Sequence, residues 1–265
     1  MIQSYRFSIV VPVYNREWCL DRALRSADAF ARALAEPVEV VVVDDGSTDR
    51  SSAIAMGWLF PAEPTLLHVR LITHLRNRGV CAAKNTGAFA CAGKWIVFLD
   101  SDDELLPQNA RQVSQKIEAH DNSPLQFFEC VRDEEICLPG DGRSRSFNLD
   151  GLLLGETGGE KLPVVLAELF RACPYDEDLR GYESLSYMRM LRSAAGTVHQ
   201  VHARRYHTGH DDRLSSRAGL RKRYHELAVG HSRVIREHRA VLSSAALLVQ
   251  VMRLAKAKIW SWLPL

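Results

Sequence analysis

Three aspartates and a glutamate stand together in Phe98-Leu99-Asp100-Ser101-Asp102-Asp103-Glu104, directly after the apolar run Trp95-Ile96-Val97-Phe98-Leu99. Carboxylates crowded at the end of a buried strand repel one another unless a cation sits between them. All-oxygen donors of this kind suit Mg²⁺ or Mn²⁺, and an ion held by so few protein groups usually also holds a phosphate. The same residues equally suit a polar loop capping a helix that begins near Glu104. Taken alone, they leave both readings open.

Other polar residues also follow apolar runs. Val38-Glu39-Val40-Val41-Val42-Val43 leads into Asp44-Asp45-Gly46-Ser47-Thr48-Asp49, whose carboxylates suit ribose hydroxyls or a base N–H. Phe7-Ser8-Ile9-Val10-Val11 leads into Pro12-Val13-Tyr14-Asn15-Arg16, and a strand over residues 69–73 leads to Arg76-Asn77-Arg78-Gly79. The glycine-rich dinucleotide fingerprint is missing after the first strand, and so is a Walker-type loop. Nicotinamide or flavin binding and P-loop phosphoryl transfer therefore lose their main support.

The elements that position these residues follow from periodicity. Leu20, Ala23, Leu24, Ala27 and Phe30 are spaced for one buried helical face, and a second helix is predicted over residues 81–91. Strands apolar on both faces, alternating with helices, predict an α/β fold with a parallel sheet covered by helices. In such sheets ligands bind beyond the carboxyl ends of the strands. Tyr14, Asp45, Arg76 and Asp102 all follow strand ends, so they should converge on one crevice.

Four motifs in this order resemble the family 2 glycosyltransferases: Val11-Pro12-Val13-Tyr14-Asn15-Arg16, Val43-Asp44-Asp45-Gly46-Ser47-Thr48-Asp49, Arg76-Asn77-Arg78-Gly79 with Lys84-Asn85-Thr86-Gly87, and Leu99-Asp100-Ser101-Asp102-Asp103. The resemblance spans residues 7–104 and weakens from about 120 to 172. It returns at Pro174-Tyr175-Asp176-Glu177-Asp178-Leu179-Arg180-Gly181-Tyr182-Glu183, which looks like the segment bearing the family's general base. It implies a GT-A fold, with a Rossmann-like, mostly parallel sheet sandwiched by helices. It also implies metal-dependent, inverting transfer from a nucleotide sugar, with UDP the commonest carrier. Pro12, Tyr14 and Asp45 would hold the nucleoside, and Arg76 and Lys84 would contact base or phosphate. Asp100 would touch ribose, while Asp102 or Asp103 would hold Mn²⁺ or Mg²⁺ on the diphosphate. Asn15 and Ser47 suit plain turn and helix-cap roles as well as ligand contact, and Arg78 suits a solvated charge.

At the base the chain departs from the family's usual Glu-Asp pair, presenting Glu183-Ser184. Serine has no useful acidity at neutral pH, so Glu183 is the expected base, with Asp178 and Asp176 as fallbacks. An orienting role for Glu183 stays open, and so does a catalytically impaired protein that keeps sugar-nucleotide binding. Tyr206-His207-Thr208-Gly209-His210-Asp211-Asp212-Arg213-Leu214-Ser215 resembles the family's C-terminal lid, mobile by expectation. There His207 or His210 would complete the metal sphere, and Arg213 would pair with the diphosphate. A lone surface histidine is the plainer reading of each imidazole.

The chain's 265 residues suit one GT-A domain over 1–215, with a nucleotide-sugar half (1–120) and an acceptor half (121–215). A helical extension over 216–265 completes it. Pro139-Gly140-Asp141-Gly142 and Gly158-Gly159 read as flexible loops around the acceptor pocket. Six cysteines without a Cys-x-x-Cys pair read as reduced, mostly buried thiols of a cytoplasmic protein, and the polar residues 2–6 predict no secretory leader. Residues 200–265 carry 13 Lys+Arg against 4 Asp+Glu, which leaves −7 on the rest of a chain of net charge +2. Arg204-Arg205, Arg217, Arg221-Lys222-Arg223, Arg233, Arg236 and Arg239 are predicted on a helical stretch that turns apolar from Val241 to Met252. The 13 uncharged residues of 240–252 are too few for a bilayer core, which needs about 20. Basic residues beside Trp260 and Trp262 instead suit a helix lying in the inner membrane interface, or one packed on its own domain or a second subunit.

The expected function is glycosyl transfer to a glycan or lipid-linked acceptor in surface polysaccharide or glycolipid assembly. Nucleic acid is not an expected partner, because aromatic residues are not interleaved among the arginines.

Overall fold

The structure is a computed structural model describing residues 5–133, 135, 137, 140–208 and 223–261. Its first half alternates β1 (Phe7–Val13), α1 (Leu20–Leu34), β2 (Val38–Asp44), α2 (Ser51–Gly57), β3 (Leu67–Thr73), α3 (Val80–Ala90) and β4 (Trp95–Phe98). Strands β3, β2, β1 and β4 lie side by side in that order, all parallel. β1 and β2 are buried along their whole length, as strands covered on both faces must be.

The alternation sorts their side chains into two apolar layers. Ile9, Val11, Val40, Val42, Trp95 and Val97 pack with Leu20, Leu24, Ala27 and Phe30 of α1. Val10, Val41, Val43, Ile96 and Phe98 face α3 on the other side. The predicted apolar face of α1 is thus the buried one.

The second half extends the sheet through antiparallel pairings of β8 with β4 and β6, while β9 pairs parallel with β6. After β4 the chain forms the short β5 (Glu104–Leu105), one 3₁₀ turn and α4 (Ala110–Ala119), so the helix-start reading at Glu104 is not what the structure shows. β6 (Leu125–Arg132), β7 (Ser144–Phe147), α5 (Leu149–Leu154), β8 (Lys161–Leu166), α6 (Ala167–Ala172), α7 (Ser184–Met190) and β9 (Gly196–Tyr206) follow. The sheet continues from β4 through β8, β6 and β9 to β5, and β7 pairs with β9. Residues 140–142 and 158–159 fall outside regular elements, but β7 and α5 form between them.

Helices α8 (Tyr224–His238) and α9 (Ser244–Ser261) complete the described residues. Val234 of α8 and Ala246 of α9 share the apolar layer of Phe98, Phe170 and Leu185, so this pair packs on the domain. Arg204 and Arg205 do not belong to that helical stretch. They lie in β9, where the register against β6 shifts at Phe128, Glu129 and Cys130. Such bulges re-aim side chains. Arg204, opposite Cys130 and Leu105, is buried beneath the acidic loop.

Candidate active site

The carboxyl ends of β1, β2 and β4 open onto a cavity of about 740 Å³, within the range of small-molecule sites. Pro12, Tyr14, Asp45, Lys84, Asp100, Asp102, Asp103, Glu183 and His207 all line it. Arg76 does not. It is exposed, and Asn77 and Gly79 line the wall beside it. His210 and Arg213 lie outside the described residues.

The loops at this edge are tied to one another. Asn15 takes the left-handed conformation, donates its N–H to Ser47 Oγ at 3.0 Å and accepts the Thr48 N–H at 2.8 Å. Asp44 accepts the Ser47 N–H at 2.8 Å. Asn15, Asp44 and Ser47 therefore hold the turns together, and Asn15 also lines the cavity. Gly46, at φ 76°, lies so close to the Arg76 backbone that a Cβ there would stand 2.8 Å from the Arg76 carbonyl carbon. Only glycine meets both demands.

Asp45 is buried at the start of α3. It accepts the Arg78 N–H at 2.9 Å and the Gly79 N–H at 2.7 Å, and His74 Nδ1 lies 2.6 Å away. A carboxylate there also suits the helix dipole. Asp45 both shapes this wall of the cavity and lines it. Arg78 is exposed, as a solvated charge is, and its side chain pairs with Glu177 at 2.9 Å.

The acidic loop holds its own cations. Lys84 Nζ, rising from α3, lies 3.0 Å from Asp100 and 3.5 Å from Glu183. Burial alone would lower the Lys84 ammonium, but the charges of Asp100 and Glu183 outweigh it and hold the group protonated. Arg204 places Nη1 3.1 Å from Asp103 and 3.7 Å from Asp100, and Nη2 3.0 Å from Glu160. Against its own burial, Asp100 is held below the usual carboxylate range by Lys84 and Arg204. Asp103 is pushed up to about 8, by burial first and then by Asp100 and Asp102, despite Arg204 beside it. The cations required between the carboxylates are therefore, in first place, side chains of the protein.

These contacts separate the two candidate metal ligands. Asp103 is nearly enclosed, with Arg204 on one oxygen and the His207 N–H on the other at 3.3 Å. His207 Nε2 is 2.7 Å from Glu104. Asp102 is partly exposed on the cavity wall, its backbone carbonyl held by Arg22 at 2.8 Å. Among the described residues, no three His, Cys, Asp or Glu side chains are grouped as a metal cage. A partly exposed aspartate on the cavity wall fits Mg²⁺ or Mn²⁺, which commonly bind through one or two carboxylates, substrate phosphates and water.

Glu183 immediately precedes α7, its side chain 22% exposed and turned to the cavity beside Lys84. The fallback bases are occupied elsewhere. Asp176 pairs with Arg189 at 2.6 Å and Arg233 at 2.6 Å, and Asp178 pairs with Arg233 at 2.6 Å. Neither lines the cavity, and Arg233 is an internal ion-pair partner of this segment. Sequence reasoning missed Arg204, Glu160, Arg180 and Arg223 of the cavity wall. The apolar-polar alternation of Val201-His202-Ala203-Arg204 was a usable strand signal, masked by the basic run that follows.

The arrangement gathers on one cavity the carboxylates of Asp45, Asp100, Asp102 and Glu183 and the ammonium of Lys84. The family described as Glycosyl transferase family 2 matches residues 8–134, which include all of these except Glu183. That match spans just under half of the chain. An uncharacterized glycosyltransferase of Haemophilus influenzae is 33% identical over 201 residues, covering 73% of this chain and 65% of that protein. The GalNAc(5)-diNAcBac-PP-undecaprenol beta-1,3-glucosyltransferase of Campylobacter jejuni is 22% identical over 202 residues, covering 74% and 63%. The succinoglycan biosynthesis protein ExoO of Rhizobium meliloti is 39% identical over 112 residues, 42% of this chain and 30% of its own. The chain thus spans 30 to 65% of the length of these curated relatives. TarS 1–349 of S. aureus, solved in complex with UDP-GlcNAc, superposes with a TM-score of 0.69 at 17% identity, over 96% of this chain and 72% of that one. The fold is accordingly of the GT-A type.

Proposed function

We propose that the protein is an inverting glycosyltransferase that moves a sugar from a nucleotide sugar to a glycan or lipid-linked acceptor. The observation that carries this reading is the convergence of Lys84, Asp100, Asp102 and Glu183 on one cavity at the strand ends of a family 2 domain. Pro12, Tyr14 and Asp45 form the nucleoside end, with Asp100 toward the ribose. Lys84 keeps a positive charge between the donor side and Glu183. His210 and Arg213 keep their implied roles as proposals. A divalent ion, held by Asp102 together with the donor's diphosphate, would neutralise charge on the leaving nucleoside diphosphate.

In the transfer, the acceptor hydroxyl oxygen forms a bond to the anomeric carbon as the bond to the diphosphate oxygen breaks on the opposite face. The hydroxyl proton passes to Glu183, which releases it to water. One displacement inverts the anomeric centre. The TarS complex with UDP-GlcNAc supports UDP sugars as the first donors to try. The undecaprenol-linked substrate in the Campylobacter relative's name supports a lipid-linked acceptor at the inner face of the cell membrane. The named role of ExoO supports surface polysaccharide assembly as the setting.

Thermal-shift screening of UDP sugars with and without Mn²⁺ tests the donor site, because a bound ligand raises the melting temperature by mass action. A Mn²⁺-dependent rise with one donor is expected. Glu183→Gln should keep that rise and lose transfer by roughly 10²–10⁴-fold. Undiminished transfer by Glu183→Gln would remove the base assignment. A donor shift without transfer in the parent protein would favour the catalytically impaired alternative.

A further inference from the structure

Helix α9 is apolar on the face opposite its packing. Ala246, Gln250 and Ala257 are buried, and Gln250 Oε1 lies 2.9 Å from His231 of α8. The helical spacing puts Leu248, Met252, Ala255 and Ile259 in one row on the opposite side, beside Val251. The large ones are strongly exposed: Leu248 58%, Val251 46%, Met252 54% and Ile259 63%. Arg253, Lys256 and Lys258 are also exposed, and α9 contains no acidic residue. Among the described residues no helix is long and apolar enough to cross a membrane.

The basic end of α9 also adjoins the cavity. Trp260 stacks on Tyr224 with ring centroids 5.9 Å apart and planes at 24°. Next to Tyr224, Arg223 lines the cavity and donates to the Gly181 carbonyl at 3.0 Å, two residues before Glu183. Leu227, one turn further along α8, lines it too.

We propose that the outward face of α9 rests on an anionic lipid surface and holds the Glu183 side of the cavity at that surface. An apolar row flanked only by cations is the pattern of a helix lying in the membrane interface. Negative headgroups complement its charge, while zwitterionic ones do not. A second copy of the chain is a poorer occupant. Parallel pairing would align Lys256 and Lys258, which flank the row, with their like. The inference rests on the glycosyl-transfer reading only in supplying a reason for the placement, namely delivery of a lipid-linked hydroxyl to Glu183.

Flotation of the full chain with phosphatidylcholine vesicles, with and without phosphatidylglycerol, tests it. Binding is expected only with phosphatidylglycerol, and it should weaken as salt is raised. Lys256→Glu with Lys258→Glu should reduce it at least tenfold, since each lysine near the surface contributes roughly fivefold. Met252→Asp with Ile259→Asp should abolish it. All four positions are solvent-facing, and each variant should keep the parent's nucleotide-sugar thermal shift. Absence of binding, equal binding to both vesicle types, or binding unchanged in both variants would overturn the proposal. So would a dimer in solution that Met252→Asp with Ile259→Asp dissolves. If vesicle binding fails while the nucleotide-sugar shift persists, this inference falls and the donor-site reading stands. If vesicle binding holds while no nucleotide sugar shifts the melting temperature, the donor-site reading falls and the membrane placement stands.

Discussion

Replacing Arg204 by methionine tests the claim that protein cations hold the acidic loop together. The Arg204 side chain is only 4% exposed and meets Asp103 at 3.1 Å, Asp100 at 3.7 Å and Glu160 at 3.0 Å. It also donates Nη2 to the Lys161 carbonyl at 3.3 Å and Nε to Cys130 Sγ at 3.3 Å. Asp103, pushed up to about 8, is largely protonated at pH 7, so the attraction runs mainly to Asp100 at 3.7 Å, about 4.5 kcal/mol at an effective dielectric of 20 before desolvation is subtracted. Breaking a buried pair by removing one partner costs about 3–5 kcal/mol, since the remaining charge stays buried and unpaired. That is a large share of the roughly 5–15 kcal/mol by which domains are stable. Methionine preserves much of the side-chain volume, so the loss reports charge more than a cavity. Urea unfolding should show Arg204→Met about 3–5 kcal/mol less stable than the parent. Adding Asp103→Asn should recover part of this, because removing both partners of a buried bond is less costly than removing one. An Arg204→Met protein within about 0.5 kcal/mol of the parent would refute the reasoning. Equal losses with and without Asp103→Asn would refute the pairing.

Asp102→Asn should reduce the Mn²⁺-dependent part of nucleotide-sugar binding at least tenfold, while Asp103→Asn has the smaller effect; titration calorimetry with and without metal distinguishes them. His199 is buried, with Nε2 2.8 Å from Gln126 and Nδ1 2.9 Å from Ser144. Burial, then His120 and Lys116, push it down to about 3 from the ordinary 6.5. The unfolded chain therefore binds the extra proton across that window, and stability falls as pH drops below 6.5, by up to about 1.4 kcal/mol per pH unit. A His199→Gln variant should flatten this dependence in urea titrations at pH 7, 6 and 5, and an unchanged slope would count against it. On α3, a Cβ at Gly87 would collide with Val10 Cγ1 and lie 3.2 Å from Val43 Cγ2. Gly87→Ala should thus cost about 1–3 kcal/mol from overpacking, partly offset by about 1 kcal/mol of helix propensity. A melting temperature at or above the parent's would show that the helix moves aside.

Local pattern was enough for the first half. The runs around Val10, Val41 and Val97 are apolar on both faces because the strands are buried twice over, so they announce a covered parallel sheet before any contact is known. Polar residues directly after such strands lie at one edge, which is why Tyr14, Asp45 and Asp102 could be gathered in advance, although Arg76, gathered with them, stands outside the cavity. Glu183 was legible through its motif and stands on the same wall.

Charge partnership was not legible, because partners lie far apart along the chain. Arg204 is about a hundred residues from Asp100 and Asp103, and only the shifted register of β9 against β6 brings them together. The same distance hid the pairing of Arg233 with Asp176, so an internal ion pair read as part of a basic surface. Residue types and order along the chain determined the parallel part of the sheet, the edge at which the cavity opens and the resemblance to the family that residues 8–134 match. Which aspartates stay partly exposed, which cation neutralises which acid and which face of α9 stays bare were decided by tertiary packing, since electrostatic and apolar partners are selected by distance in space.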